Sequence, residues 1–152
     1  MKKQFTFTIY GEPRGKGRPR FTRNGHTYTP PETTKYERMI RAMFMARYPR
    51  AEKIGKDIPV RAKINAYYKI PDSAGKGKKQ LMKAGLIKPT KKADADNVAK
   101  VILDALNGFA YHDDAQVMEL EVKKIYAQSE PYVGMSAPSR SFFTLTLGVF
   151  IF

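Results

Sequence analysis

The chain has no cysteine. That absence excludes a disulfide framework and any thiolate metal site. Histidine is limited to His26 and His112. His26 reads as part of a polar turn with Asn24-Gly25, and His112 as a turn residue beside an aspartate pair. No apolar run is long enough to cross a bilayer. The start, Met1-Lys2-Lys3-Gln4-Phe5, is like a signal-peptide n-region for two residues only, before Thr6 and Thr8 interrupt the apolar run. A cytoplasmic protein is the expectation, with no membrane partner. There is no internal repeat and no RNP-like aromatic run. Acidic residues are also scarce, 14 against 28 Lys and Arg, which leaves a net charge of +14 and a pI near 10.0.

A field of that sign attracts polyanions, and nucleic acid is the expected partner. The 152 residues fit one domain, 1–152, and the 42% hydrophobic content suffices for a core. Against this basic background the few acids are unevenly placed. Asp94, Asp96, Asp113 and Asp114 gather within about one helix and one turn. Crowded carboxylates raise each other's pKa unless a cation sits between them. Carboxylate and water oxygens suit Mg²⁺, with Mn²⁺ as a substitute. A basic chain holding a hard metal points to phosphodiester chemistry.

Residue periodicity predicts an α/β (α+β) fold: a small mixed sheet with two main helices packed on it, in the order β-α-β-α-β-β. Phe5, Phe7 and Ile9 alternate with Thr6, Thr8 and Tyr10 in a first strand. A helix from Pro31-Glu32 to Tyr48-Pro49 carries Tyr36, Met39, Ile40 and Met43 as its apolar stripe. Val60, Ala62, Ile64, Ala66 and Tyr68 form a second strand. Residues 71–92 are a basic stretch, expected to be mobile in large part, with room for a short helix around Gln80 to Ala84. A second main helix, capped by Asp96 or Asn97, runs to Leu106 and stops at Asn107-Gly108. Met118, Leu120 and Val122 alternate in a third strand, and residues from Ser141 to Phe152 in a fourth.

On the second main helix Asn97, Lys100 and Asp104 share one face, with Val98, Ile102, Ala105 and Leu106 opposite. Asp94 and Asp96 would point the same way if their segment were extended. Asp113-Asp114 closes the site if the following strand lies beside the helix. Taken singly, the acids read as caps and turn residues, and Asp104 as an ion-pair partner of Lys100.

Together, Asp94-x-Asp96-Asn97-x-x-Lys100-x-x-x-Asp104-Ala105-Leu106-Asn107 and Asp113-Asp114-Ala115-Gln116-Val117 resemble the signature of RusA-type Holliday-junction resolvases. The resemblance is specific over about residues 94–123. It implies a small α/β homodimeric endonuclease that cuts four-way DNA junctions by paired, metal-dependent nicks. The resemblance places the essential acids at Asp94, Asp96 and Asp114, with Asp113 beside them, and the functional lysine at Lys100.

The segment Arg14-Gly15-Lys16-Gly17-Arg18-Pro19-Arg20 puts four cations in seven residues. Arg14, Lys16, Arg18 and Arg20 are the expected DNA-phosphate contacts, with glycines allowing close backbone approach. It is not a Walker A loop, since Gly17 stands where Ser or Thr is needed, so no nucleotide cofactor is expected. Phe21 and Tyr28 flank the loop; packing into the fold is expected, with stacking on unpaired bases as the alternative. Two other functions remain open at this level: a non-catalytic basic nucleic-acid-binding protein, and a metal nuclease acting on other branched or duplex DNA.

Overall fold

The computed structural model describes residues 4–127 and the backbone of the strand at 142–149. Four strands form the main sheet: β1 (Gln4–Tyr10), β4 (Val60–Tyr68), β5 (Val117–Tyr126) and β6 (Phe142–Val149). Their spatial order is β1-β6-β4-β5. β6 pairs antiparallel with both β1 and β4, whereas β4 and β5 run parallel. A parallel neighbour requires a crossover, and the segment between β4 and β5 supplies it with α3 (Ala95–Leu106). A two-strand hairpin, β2 (Arg20–Phe21) and β3 (Thr27–Tyr28), precedes α1 (Pro31–Arg47), and a short helix, α2 (Lys76–Lys83), precedes α3. The mixed α+β reading and the main order β-α-β-α-β-β therefore hold, with the hairpin and α2 as additions.

The core follows from the two periodicities. In β1, Phe5, Phe7 and Ile9 are buried; in β4, Val60, Ala62, Ile64, Ala66 and Tyr68 are. These alternate residues stand on the helix-bearing face. α1 answers with Thr33, Tyr36, Ile40 and Phe44 at helical spacing. Phe44 belongs at the centre of this stripe, while the expected Met39 and Met43 lie on its margin. Its ring meets Phe5 and Phe7 at centroid distances of 5.2 and 5.6 Å. Just past the helix, the Tyr48 hydroxyl accepts from the Thr6 N–H and donates to the Thr6 carbonyl, both at 2.8 Å, which staples α1 to β1. α3 buries Val98, Ala99, Val101, Ile102, Ala105 and Leu106. The Arg41 guanidinium ties α1 to α3, donating to the Ala105 carbonyl at 3.2 Å and lying 4.4 Å above the Phe109 ring.

Several boundaries differ from the sequence reading. The hairpin strands are two residues long, too short for any period-2 signal; the Asn24-Gly25 turn is there, with Gly25 at φ +78°. α2 begins at Lys76 rather than near Gln80, anchored by the buried Met82. α3 begins at Ala95, so Asp94 is its N-cap residue and Asp96 lies in the first turn. β5 is longer than expected and forms one edge of the sheet, leaving Met118 54% and Leu120 46% exposed. The ends of the expected fourth strand, and the side-chain alternation along it, lie outside the described residues.

Candidate active site and nucleic-acid interface

α3 sets the geometry of the acidic residues. Asp94, in extended backbone at φ −67° and ψ 152°, caps the helix without a side-chain hydrogen bond. Because Ala95 and Asp96 are already helical, the two-residue step from Asp94 to Asp96 does not place both side chains on one face as an extended segment would. Both carboxylates are exposed at the helix N-terminus, where the backbone dipole favours negative charge. Lys100 is exposed one turn further on and makes no ion pair among the described residues. Asp104 does not pair with Lys100; it belongs to Lys16, from the basic loop.

The second acidic pair lies at the other end of α3. Asp113 caps a 3-10 turn, Asp114–Gln116: its Oδ1 accepts from the Ala115 N–H at 2.8 Å. Gln116 closes the capping box, its Oε1 accepting from the Asp113 and His112 N–H groups at 3.0 and 2.8 Å. Its Nε2 donates to the carbonyls of Gly55 and Ile58, fastening the turn to the chain that enters β4. Gln116 was not singled out from the sequence, although its place three residues after Asp113 is the capping-box signal. His112 sits in this turn with its side chain exposed, as expected. The Asp114 carboxylate is exposed and, among the described residues, has no hydrogen bond or ion pair. Between the two acidic groups, Tyr111 is fully buried and donates its hydroxyl to the Leu103 carbonyl at 2.6 Å. Burial raises its phenol pKa, and the charges of Asp114, Asp104 and Asp113 add to the effect.

These positions decide what one copy can hold. The 12 residues of α3 span about 18 Å at 1.5 Å per residue. Ligand oxygens around Mg²⁺ sit about 2.0–2.1 Å from the ion, so carboxylates sharing one ion must converge. Among the described residues, no three acidic or histidine side chains converge in that way. Asp94 and Asp96 at one end and Asp114 at the other therefore do not fit a single ion within one chain, and the third strand does not carry Asp114 to the helix start.

The basic loop crosses the first turns of both α1 and α3. The Lys16 N–H donates to the Asn97 carbonyl at 3.0 Å, and the Gly17 N–H to Thr33 Oγ1 at 3.1 Å. A Cβ on Gly15 would stand 2.7 Å from the Ala93 Cβ and 3.0 Å from the Asn97 Cβ; one on Gly17 would stand 2.6 Å from Thr33 Oγ1. The glycines thus serve close packing of the loop on two helices. Lys16 is the inward residue, its ammonium bound by Glu37 at 2.9 Å and by Asp104. Burial lowers its pKa, but the bonds to Asp104 and Glu37 outweigh that and leave it raised. Arg14, Arg18 and Arg20 stay exposed and, together with Pro30, Thr33 and Tyr36, border a cavity of about 330 Å³. Burial pushes the Tyr36 phenol up to about 12, with the neighbouring Arg14 acting in the opposite sense.

Phe21 and Tyr28 do not pack into the fold. They are 74% and 42% exposed, on a hairpin that forms a sheet separate from the four-strand one. Among the described residues, no helix is long and apolar enough to cross a membrane.

The protein is similar over 131 residues to the uncharacterized protein YqaN of Bacillus subtilis (strain 168), with 41% identity covering 84% of this chain and 90% of that one. Residues 10–135 match the family described as endodeoxyribonuclease RusA, a span that takes in the basic loop, α3 and the Asp113-Asp114 turn. The chain belongs to the endodeoxyribonuclease RusA family.

Proposed function

We propose that this protein is a metal-dependent endonuclease that resolves four-way DNA junctions by paired nicks on opposite strands, acting as a homodimer. Family membership supports the nuclease activity. The observation that carries the remainder is the division of exposed carboxylates between the two ends of α3, beside a loop that presents three exposed arginines. Each end is half of a cation site. A two-fold axis across α3 would set the Asp94 and Asp96 of one copy against the partner's Asp114, and would create two equivalent sites. Two sites related by a two-fold axis match two nicks on a junction of the same symmetry.

Mg²⁺ or Mn²⁺ held between the copies would supply Lewis-acid polarisation of the phosphate and a more acidic bound water. Lys100, exposed and without an ion pair among the described residues, places a compact positive charge for the developing charge on the scissile phosphate. Arg14, Arg18 and Arg20 supply sequence-independent affinity through counterion release. Phe21, exposed on its hairpin next to Arg20, offers a ring for an unpaired base.

Incubation with a labelled four-way junction and a linear duplex of matching sequence, with and without Mg²⁺, tests this reading. Paired nicks in the junction alone, only with the metal, are the expected result. Equal cutting of the duplex would assign a different nuclease substrate. Binding without cutting under all conditions would assign a non-catalytic nucleic-acid-binding role.

A further inference from the structure

We infer that Lys16 is a positioning residue rather than a DNA-phosphate contact: it latches the arginine loop to α1 and α3 and fixes that loop in register with the helix bearing Asp96 and Lys100. The inference rests on the proposed nuclease reading for its consequence in catalysis, but not for its structural content.

The segment Gly15-Lys16-Gly17 faces inward at every residue. Gly15 packs on Ala93 and Asn97, the Lys16 N–H bonds the Asn97 carbonyl, and the Gly17 N–H bonds Thr33. The side chain of Lys16 continues in the same direction. Its ammonium, with 21% side-chain exposure, bridges Glu37 on α1 and Asp104 on α3, which are 16% and 25% exposed. An ammonium has three donor hydrogens, and two are committed here to carboxylates. A phosphate arriving at Lys16 would have to share that cation with two negative charges already in contact with it. Among the described residues, Arg14, Arg18 and Arg20 make no ion pair with a carboxylate. Removing the ammonium would leave Glu37 and Asp104 facing each other without a counter-ion, and their repulsion would separate α1 from α3 where the loop crosses. Asp104 lies four residues after Lys100 on the same helix, so the latch and the proposed catalytic lysine share one rigid element.

Three measurements on Lys16→Met, Lys16→Arg, Asp104→Asn and the Lys16→Met/Asp104→Asn double variant test this. First, amide hydrogen exchange without DNA should accelerate at Lys16 and Gly17 by about tenfold or more in Lys16→Met and Asp104→Asn, and much less in Lys16→Arg, which keeps a cation between the two acids. Second, the log–log salt slope of junction binding should be unchanged in Lys16→Met, whereas Arg18→Ala should lower it by about 0.9. Third, the single-turnover cleavage rate at saturating protein should fall on the order of tenfold in Lys16→Met and in Asp104→Asn and much less in Lys16→Arg, with the double variant no worse than the poorer of Lys16→Met and Asp104→Asn. A slope lowered by about 0.9 in Lys16→Met, with exchange and saturating rate unchanged, would make Lys16 a phosphate contact and overturn the inference. Fully additive losses in the double variant would also overturn it, since a latch is one interaction. If the wild-type protein binds but does not cut, the nuclease reading fails while exchange and salt slope still decide the latch. Asp104→Asn removes a single charge from a half-buried site, so it reports on the latch even if Lys16→Met is poorly folded.

Discussion

Mixing two inactive variants is expected to restore cutting. Asp96→Asn and Asp114→Asn should each be inactive as pure proteins, because each removes a charge from one half of the site. The two halves lie at opposite ends of α3, whose 12 residues run about 18 Å at 1.5 Å each. That distance is several times what one ion can bridge with ligands about 2.0–2.1 Å away. If each working site takes Asp94 and Asp96 from one copy and Asp114 from the other, a mixed dimer of the two variants contains one doubly damaged site and one intact site. With free subunit exchange at equal concentration, about half of the dimers are mixed, so about a quarter of wild-type sites return. The assay is single-turnover nicking of a labelled four-way junction at saturating protein, after co-refolding the variants. The expected product is a single nick per junction instead of paired incision, at about a quarter of the wild-type site count. Mn²⁺ titration of the same mixture should recover the same fraction of tight sites, a readout independent of cleavage. The converse mixture, wild type with the Asp96→Asn/Asp114→Asn double variant, should lose activity in every mixed dimer. A first mixture as inactive as its parents, with wild type active and mixed dimers verified by mass, would refute the shared site and require all three carboxylates to converge within one chain.

Asp113→Ala should separate the two adjacent acids: it removes the side chain that caps the 3-10 turn, so the main cost is stability, about 0.5–2 kcal/mol by denaturant titration, while Asp114→Asn affects cutting and leaves stability nearly unchanged. Lys100→Ala should keep the fold and slow single-turnover cleavage by a factor on the order of 10² or more, with only partial recovery in Lys100→Arg. Neutralising Arg14, Arg18 and Arg20 together should reduce the salt slope of junction binding by about 2.7, at about 0.9 per phosphate contact, without altering the cleavage rate at saturation to the same degree. Tyr48→Phe keeps the ring packing but removes both bonds to Thr6, and should cost about 1–2 kcal/mol of stability by thermal or denaturant unfolding.

The sequence by itself determined the main elements and the uneven placement of charge. Alternation in β1 and β4 and the helical stripes of α1 and α3 are local patterns, fixed by how side chains project from strand and helix, so they could be read without a fold. The concentration of carboxylates in a chain of net charge +14 also needs no coordinates. Tertiary structure decided the rest. That Asp94 and Asp114 stand at opposite ends of α3 depends on β5 running parallel to β4, which sends the chain back along the whole helix before the strand begins. That Asp104 pairs with Lys16, 88 residues earlier, and not with the nearby Lys100 depends on where the basic loop crosses α3. Phe21 and Tyr28 look like core residues in composition, yet their hairpin is a sheet of its own and both rings are exposed among the described residues. Lys16 looks like its three arginine neighbours until the fold closes two carboxylates around it, because a charge pattern records which cations are present and only packing records which of them are already taken.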